Sequence, residues 1–489
     1  MLSCITSVVL VGAEPRLVNA EVFVGGGKPA FHIVGLPDAA VREAKERVRA
    51  AIQASGFTFP GRRVIVNLAP ADVPKGGSAY DLPIALGVLV ASKAIPAAAQ
   101  AVVALGELSL NGSVRSVRGG LGAAMVAGET GLRCLLPPDS AAEALTLGET
   151  PVSAVRSLEE AVAVALGDSG GAVIPELPAE TMVAADLADV RGQLLVRRAL
   201  EIAAAGGHHM LMKGPPGAGK TMLARALPGI LPRLQGIEVG EVALTWAAAG
   251  AARPSPTLAP FRSPHHSASL AALIGGGSGI PVPGETALAH KGVLFLDELG
   301  EFPVHLLDAL RQPMEEGNVV VSRKGASVRF NTEFQLVAAT NPCPCGYDGD
   351  RLRQCSCSER EVSKYRRRLS GPLLDRFDIV VRVPRVESAE MAGKPGEQSA
   401  AVALRVAAGR KRQNERGCRN ARLGRQGLDA LHWHESVPVM LENAMRTSAL
   451  TARGWDRVRR VAATIADLEE TEVILDTHVA EALAYRGQR

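Results

Sequence analysis

The stretch Gly214-Pro215-Pro216-Gly217-Ala218-Gly219-Lys220-Thr221 is a glycine-rich loop that ends in lysine and threonine. An apolar run over residues 209–212 precedes it, and a helical pattern over residues 222–227 follows it. Strand, loop and helix in this order are the context that a phosphate-binding loop requires. The glycines let backbone N–H groups turn toward phosphates, so we expect Lys220 to reach the β- and γ-phosphates and Thr221 to ligate Mg²⁺. The stretch predicts an α/β fold with a parallel sheet and an ATP site.

A second apolar run, residues 293–296, leads directly into Asp297 and Glu298. A buried parallel strand delivers such residues to the carboxyl edge of an open α/β sheet, where ligands bind. We therefore expect both carboxylates beside the phosphate loop. Asp297 is predicted to hold Mg²⁺, and Glu298 is predicted to orient and polarise the attacking water.

Two further polar residues stand at the boundaries of apolar runs. Asn341 follows the run 334–339, where its amide is predicted to sense the γ-phosphate; the alternative is an ordinary turn residue. Arg376 precedes the run 379–381, the place at which ring ATPases carry an arginine that enters the neighbouring subunit's site. Such a finger contributes about 10³–10⁵ in rate. The alternative for Arg376 is a surface pair with Asp375.

Length and composition limit the class of protein. A chain of 489 residues predicts two or three domains. The net charge of +4 neither requires nor excludes a nucleic-acid partner, because a local basic lining suffices. Aromatic residues make up only 3%, so single strands would be held through phosphates more than through base stacking. No signal-peptide pattern and no apolar run of about 20 residues is present, which predicts a cytoplasmic protein without membrane segments.

Four segments are predicted along the chain. Residues 1–165 mix β-type and helical patterns in an α+β domain, in which Asp38 is the expected cap of a helix. Residues 166–185 are rich in glycine and proline and form a linker. Residues 186–387 alternate strands and helices around the phosphate loop. Residues 388–489 form a C-terminal helical domain that is basic in its first half.

Four of the seven cysteines crowd into one short segment. Cys343-x-Cys345 and Cys355-x-Cys357 are two pairs separated by nine residues, a pattern that suits tetrahedral Zn²⁺. The intervening loop has little apolar content, and a metal would supply the order that it lacks. The alternative is four thiols without a ligand.

Two elements are candidates for contact with a polyanion. Residues 318–330 predict a β-hairpin with Arg323 and Lys324 at its tip, and a basic tip in a ring suits a phosphate backbone. The alternative is a solvated turn. His265 and His266 lie in an insertion, where DNA contact and a structural role are equally open.

These motifs together resemble the ComM/YifB-type magnesium-chelatase-like family of the AAA+ class over nearly the whole chain. The resemblance implies a hexameric ring that hydrolyses ATP between subunits and drives branch migration of DNA in recombination and natural transformation. It implies that Asp189-Val190-Arg191-Gly192-Gln193, with Val190, flanks the adenine. It implies a lid helix with Arg453 as a second arginine sensor and Arg457 as its competitor. The segments that carry the resemblance also include Phe261-Arg262-Ser263-Pro264-His265-His266, Gly275-Gly276-Gly277, Pro283-Gly284-Glu285, Asn341-Pro342-Cys343-Pro344-Cys345-Gly346 and Leu369-Ser370-Gly371-Pro372-Leu373-Leu374-Asp375-Arg376-Phe377-Asp378.

The N-terminal domain resembles the proteolytic domain of Lon. The matching segments are Val73-Pro74-Lys75-Gly76-Gly77-Ser78, Gly106-Glu107-Leu108-Ser109-Leu110-Asn111-Gly112 and Gly119-Gly120-Leu121. Proteolysis of that type needs a serine activated by a nearby lysine. No lysine stands between Lys93 and Lys213. We therefore expect a binding or assembly module without peptidase activity.

The expected function is an ATP-driven hexameric ring motor that acts on single-stranded or branched DNA, with ATP, Mg²⁺ and Zn²⁺ as cofactors. The alternative is a protein-remodelling, chelatase-like AAA+ ATPase whose N-terminal domain binds a partner. The effect of DNA on the ATPase rate separates the two hypotheses.

Overall fold

The computed structural model describes residues 1–486 except residues 36–37, 72, 74, 149, 169–170, 176–184, 252, 254, 278–280, 324–325, 351, 369–370 and 449–450. Part of the predicted linker and the predicted hairpin-tip residue Lys324 lie outside this range. None of the described helices combines the length and the apolar character needed to cross a bilayer.

The N-terminal region is built on a mixed sheet covered by helices. Its strands are β1 (Leu2–Val11), β2 (Glu14–Gly25), β3 (Ala30–Val34), β4 (Arg63–Ala69), β5 (Val102–Ala104), β6 (Glu107–Leu108), β7 (Val114–Arg115), β8 (Arg133–Leu136) and β9 (Val152–Ala154), and its helices are α1 (Ala39–Ala54), α2 (Asp81–Ala91), α3 (Gly120–Thr130), α4 (Pro138–Ala144) and α5 (Leu158–Ala165). Seven of the strands form one sheet in the order β3-β4-β2-β1-β5-β8-β9. The Asp38 side chain accepts a 2.8 Å hydrogen bond from the Val41 N–H, which confirms the predicted cap of α1.

A second sheet forms the core of the central region. The strands of the central region are β10 (Met210–Lys213), β11 (Phe261–Arg262), β12 (Gly275–Gly276), β13 (Val282–Pro283), β14 (Val293–Leu296), β15 (Asn318–Arg323), β16 (Ala326–Asn331), β17 (Gln335–Thr340) and β18 (Ile379–Arg382). Its helices are α6 (Leu194–Gly206), α7 (Lys220–Ala226), α8 (Ile237–Ala248), α9 (Leu270–Ile274), α10 (Glu285–Leu288), α11 (Val304–Ala309), α12 (Arg311–Glu316), α13 (Glu359–Arg368), α14 (Gly371–Leu374) and α15 (Ser388–Met391).

The five main strands of this region lie in the order β11-β14-β17-β10-β18, and every neighbouring pair is parallel. The α/β fold with a parallel sheet is therefore confirmed. β14 and β17 are buried along their whole length, as continuous apolar strands covered on both faces must be. Because β10, β17 and β14 are consecutive neighbours, the residues after each strand meet at one edge of the sheet.

The C-terminal region is mainly helical and shares a hydrophobic core with the central sheet. It contains α16 (Ser399–Glu415), α17 (Arg425–Asp429), β19 (His432–Trp433), α18 (Val437–Ser448), α19 (Ala452–Leu468), β20 (Val473–Ile474) and α20 (Asp476–Ala484). Met212 of β10, Val381 of β18, Val406 of α16 and Ile465 of α19 belong to one buried cluster. The helices therefore pack on the same side of the sheet as α6 rather than on a separate core.

The N-terminal region packs against the central region, and two of its contacts involve the β1–β2 turn and α3. The turn between β1 and β2 lies against the β15–β16 hairpin, where a Cβ on Gly12 would stand 2.1 Å from Val328 Cγ1. Gly12 also has a φ of +63°, so the turn needs glycine for two reasons. The second contact joins α3 to α8 through Leu121 and Leu244. One face of the hairpin is thus covered by the N-terminal region.

Candidate active site

The phosphate loop connects β10 to α7 in the predicted strand–loop–helix order. Gly217 and Gly219 have φ angles of +76° and +88°, a backbone conformation that favours glycine. Gly214 lies against the neighbouring strand, and a Cβ there would stand 2.2 Å from Val383 O. Positive φ angles at two positions and close packing at the third therefore explain why the loop has glycine at all three, which the sequence pattern alone does not reveal.

Lys220 is the cation of this loop, and the residue is only 8% exposed. Its Nζ donates to Gly214 O at 2.6 Å, to Pro215 O at 2.9 Å and to Asn341 Oδ1 at 3.1 Å. Burial lowers the pKa of Lys220, while the carboxylates of Asp297 and Glu298 act in the opposite direction. The contact with Asn341 joins the loop to the end of β17.

The acidic pair follows β14 at the same edge of the sheet. Thr221 Oγ1 donates to Asp297 Oδ2 at 2.7 Å, so the two residues predicted to ligate Mg²⁺ are in contact. Glu298 has a φ of +51°, uncommon for a residue other than glycine, and its N–H donates to Asp297 Oδ1 at 3.0 Å. Its side chain is 57% exposed. The turn therefore directs Asp297 to the loop and leaves the Glu298 carboxylate accessible to water.

These groups surround a cavity of about 420 Å³, which lies within the range of small-molecule sites. The lining consists of residues 216–222, Asp297, Glu298 and residues 339–341. Of the residues predicted for the ATP site, the structure thus brings together Lys220, Thr221, the acidic pair and Asn341. The arrangement pairs a cationic phosphate cradle with two carboxylates, which is the geometry that phosphoryl transfer with Mg²⁺ needs.

Val190 is buried at the base of the segment predicted to flank adenine. Its carbonyl accepts a 3.1 Å hydrogen bond from Arg197, which fixes the backbone there. Gln193 donates to Pro384 O at 2.5 Å, just beyond β18. Since Pro384 follows the carboxyl end of β18, the segment lies at the same edge of the sheet as the phosphate loop.

His265 and His266 follow β11, the strand that pairs with β14. Their rings lie 4.0 Å apart between centroids, and His266 Nδ1 is 3.9 Å from Glu298 Oε2. His266 is therefore a neighbour of the predicted water-orienting carboxylate, a position that the sequence reasoning missed. The sequence carries no signal for it, because only the tertiary structure makes β11 and β14 neighbours, and residues that follow two neighbouring parallel strands share one edge. DNA contact by these histidines stays a prediction.

Arg376 and Arg457 lie away from the phosphate loop of their own chain, and Arg453 is not among the described residues that line its cavity. Arg376 precedes β18, so it stands at the amino edge of the sheet. The length of β18, about 13 Å, separates this edge from the edge that carries the phosphate loop. It forms an ion pair with Glu315 of α12. Arg457 of α19 pairs at 3.4 Å with the buried Asp378, also at the amino edge, whereas Arg453, one turn earlier, is exposed.

The four clustered cysteines converge although their two pairs are distant in sequence. Cys343 Sγ lies 3.4 Å from Cys345 Sγ and 3.7 Å from Cys355 Sγ, and all four sulfurs lie within 4.8 Å of one another. Tetrahedral Zn²⁺ with Zn–S bonds near 2.3 Å requires sulfurs about 3.8 Å apart. Backbone N–H groups of Ser356 and Tyr347 lower the pKa of Cys345 to about 5. The sulfurs fit a closed metal site with one ligand from each residue.

The cysteine loop packs directly on the phosphate loop. Gly346, with a φ of +85°, lies so close to Pro216 that a Cβ would stand 2.5 Å from its Cδ. The same Cβ would lie 3.8 Å from the side chain of Asn341. No sequence signal indicated this contact, because it joins segments more than a hundred residues apart. The cysteine loop thus packs against Pro216 and Asn341, two residues that line the cavity of the ATP site.

We expect Gly346→Ala to raise the KM for ATP by about tenfold, because the added methyl group must displace Pro216 from the phosphate loop. Steady-state ATPase kinetics measure the effect. Gly349→Ala is the matched control, since Gly349 also has positive φ, +74°, but a Cβ there meets nothing within 4 Å. Equal KM values for the two variants would show that backbone strain, rather than the contact with Pro216, causes the change.

The predicted hairpin is confirmed, with Asn318–Arg323 pairing with Ala326–Asn331. Arg323 is exposed, and its Nε donates to Gly277 O at 3.2 Å, so it contacts the insertion that contains β12 and β13. Lys324 lies outside the described residues. The insertion and the hairpin therefore form one surface.

Comparison with known proteins agrees with this site. The family model described as magnesium chelatase, subunit ChlI, matches residues 186–391, and models for subunit ChlI of Mg-chelatase and for its C-terminal part match residues 20–140 and 396–486. The uncharacterized protein YifB of Salmonella typhimurium is 42% identical over 486 residues, which cover 98% of this chain and 95% of that protein.

Two further relatives differ in how much of the chain they match. The competence protein ComM of Haemophilus influenzae is 41% identical over 491 residues, which cover 98% of this chain and 96% of ComM. The magnesium-chelatase 38 kDa subunit of Rhodobacter capsulatus is 28% identical over 190 residues, 36% of this chain and 48% of that subunit. The chain therefore belongs to the magnesium-chelatase-like family of ATP-binding AAA+ proteins, as a ComM/YifB-type member.

Proposed function

We propose that this chain is an ATP-driven motor that works as a hexameric ring on single-stranded or branched DNA, as a branch-migration helicase in recombination and natural transformation. One observation supports the ring assembly: Lys220 and Glu298 stand at one edge of the sheet, and Arg376 stands at the other. A single chain cannot bring both edges to one nucleotide. A neighbouring subunit that presents its amino edge completes the site, as head-to-tail contacts around a closed ring do.

In this scheme ATP lies on the phosphate loop, and Mg²⁺ is held by Thr221 and Asp297. Glu298 orients the attacking water, and Lys220 and Asn341 contact the transferred phosphate. Arg376 and Arg453 of the adjacent subunit supply positive charge, because phosphoryl transfer is accelerated mainly by positioning and electrostatic stabilisation. Val190 lies beside the adenine.

Binding to DNA is supported by an exposed cationic side chain and by the similarity of the chain to a competence protein. Arg323 is an exposed cation at the end of a hairpin, and His265 and His266 lie in the insertion that this hairpin contacts. One relative over nearly the whole chain is named a competence protein. Basic groups on a ring's inner surface track phosphates without reading sequence.

The alternative is a protein-remodelling ATPase whose N-terminal domain binds a partner. It is favoured by the contact of the N-terminal turn at Gly12 with the hairpin, since a partner on that domain would then act on the hairpin. Peptidase activity is not proposed, because Ser78 donates to Glu107 and the buried Lys75 donates to Pro70 O.

DNA is expected to stimulate the ATPase rate of the full chain, and the stimulation should weaken steeply as salt rises. The double variant Arg323→Ala/Lys324→Ala should lose most of the stimulation and keep the DNA-free rate. The matched control Arg62→Ala/Arg63→Ala removes two exposed charges from the N-terminal domain. No stimulation of the wild-type protein at low salt, together with unchanged behaviour of the hairpin variant, rules out the DNA motor.

We further propose that Cys343, Cys345, Cys355 and Cys357 bind one Zn²⁺. Metal analysis in reducing, chelator-free buffer should find about one Zn²⁺ per chain. Cys345→Ser/Cys355→Ser should reduce the stoichiometry to near zero and lower the melting temperature, because the loop loses its crosslink. The control Cys4→Ser/Cys418→Ser removes two thiols outside the cluster and should retain the metal. Wild-type protein without metal contradicts the site.

A further inference from the structure

Helix α13 links the cysteine cluster to the ATP site. It begins two residues after Cys357, and its first turn is capped reciprocally: Glu361 accepts from the Ser358 N–H at 2.8 Å, and Ser358 Oγ accepts from the Glu361 N–H at 3.4 Å. Tyr365 is its one buried residue. The helix is therefore held at its start by the cap and at its middle by a single aromatic anchor.

Tyr365 reaches both strand ends that carry catalytic groups. Its hydroxyl lies 3.4 Å from Thr340 Oγ1, the residue before Asn341. Its ring lies against Gly300, two residues after Glu298, where a Cβ would stand 2.4 Å from Tyr365 Cζ. A displacement of either strand end by nucleotide must therefore move α13, or the helix must hold those ends in place.

The outer face of α13 is a row of cations. Arg360, Lys364 and Arg367 are exposed, and their spacing of four and three residues puts them on one stripe about 10 Å long. Arg366, on another face, pairs with Asp348 at 2.8 Å, and Arg368, one turn after Lys364, pairs with Glu301 at 3.8 Å. Among the described residues, the three stripe cations form no ion pair.

We propose that the stripe Arg360, Lys364 and Arg367 binds the phosphodiester backbone of the DNA strand on which the motor acts, a proposal that rests on the proposed function. Interfaces between proteins have an apolar or aromatic centre, whereas the face of α13 that carries the stripe is polar throughout. Exposed lysine and arginine in a row match a linear polyanion, and such contacts fix position without reading sequence. Through Tyr365 the bound strand is connected to Thr340 and Gly300.

The test uses the full chain and a fluorescein-labelled oligodeoxythymidine strand, with binding followed by anisotropy over a salt series. Arg360→Gln/Lys364→Gln/Arg367→Gln should weaken binding at least about tenfold. The negative slope of log association constant against log salt concentration should become shallower by about 2, since each phosphate contact on a single strand contributes about 0.7. The charge-matched control Lys28→Gln/Lys45→Gln/Arg62→Gln should change affinity less than about twofold. Arg360→Lys/Arg367→Lys should bind nearly as the wild type does.

Three outcomes overturn the proposal. If wild-type protein binds the strand and the stripe variant binds it as the control does, DNA takes another path and the motor itself stands. If wild-type protein does not bind at low salt, both the stripe and the proposed function fail. If the stripe variant fails to assemble with ATP in sedimentation experiments without DNA, the stripe faces a neighbouring subunit rather than nucleic acid.

Discussion

Arg376→Ala is expected to reduce the kcat of ATP hydrolysis by about 10³-fold or more and to leave the affinity for ATP nearly unchanged. The reason is topological: Arg376 stands before β18, at the amino edge of the sheet, and the phosphate loop stands at the carboxyl edge. The side chain therefore lies far from its own nucleotide site, and in the proposed ring it would act across a subunit seam. A coupled ATPase assay and equilibrium binding of a fluorescent ATP analogue measure the two quantities.

Arg311→Ala is the control for that variant, because Arg311 is an exposed arginine on α12, the helix that carries the Arg376 partner Glu315. Its kcat should stay within about twofold of the wild-type value. The hypothesis fails if Arg376→Ala hydrolyses ATP normally. It also fails if dilution to an isolated monomer leaves the wild-type rate per chain intact.

Glu298→Gln is expected to lower kcat by about 10²–10³-fold while ATP still binds. In the proposed site Asp297 and Thr221, which are in contact, still hold Mg²⁺, but the amide would no longer accept a proton from the attacking water. Glu301→Gln is the control, since Glu301 lies three residues on and pairs only at 3.8 Å with Arg368. A Glu298→Gln protein with normal turnover would assign the water-orienting role to another group, with His266 the nearest candidate.

Mixing the two inactive proteins tests the shared site directly. A seam formed by the Glu298 of an Arg376→Ala subunit and the Arg376 of a Glu298→Gln subunit has every group intact. In randomly mixed rings about a quarter of the seams would be complete, so the mixture should regain activity that neither protein has alone. A mixture as inactive as its components contradicts a site built from two subunits.

Much of the ATP site could be predicted from the sequence because its signals are local. A phosphate loop needs its glycines, lysine and threonine within eight residues, and the strand that delivers Asp297 and Glu298 is a short apolar run. The cysteine pairs are likewise local, since ligand spacing is set by the metal. The cap at Asp38 and the hairpin over residues 318–330 depend only on near neighbours in the chain.

The remaining features depend on which strands become neighbours. The contact of Gly346 with Pro216, the approach of His266 to Glu298 and the contact of Tyr365 with Thr340 join segments that are far apart in sequence. No periodicity or spacing encodes such contacts, because they arise from the order in which the strands assemble. The same holds for the burial of one face of the hairpin under the turn at Gly12.

The sequence by itself determined the α/β class, the phosphate loop at residues 214–221, the acidic pair and the cysteine pattern, because each is a short-range requirement of backbone geometry or ligand chemistry. The tertiary structure alone decided that Asn341 meets Lys220, that the cysteine loop packs against the phosphate loop at Pro216, and that Arg376 stands at the far edge of the sheet. The physical reason is that parallel strands gather their carboxyl ends at one edge and their amino ends at the other, whatever their distance in sequence.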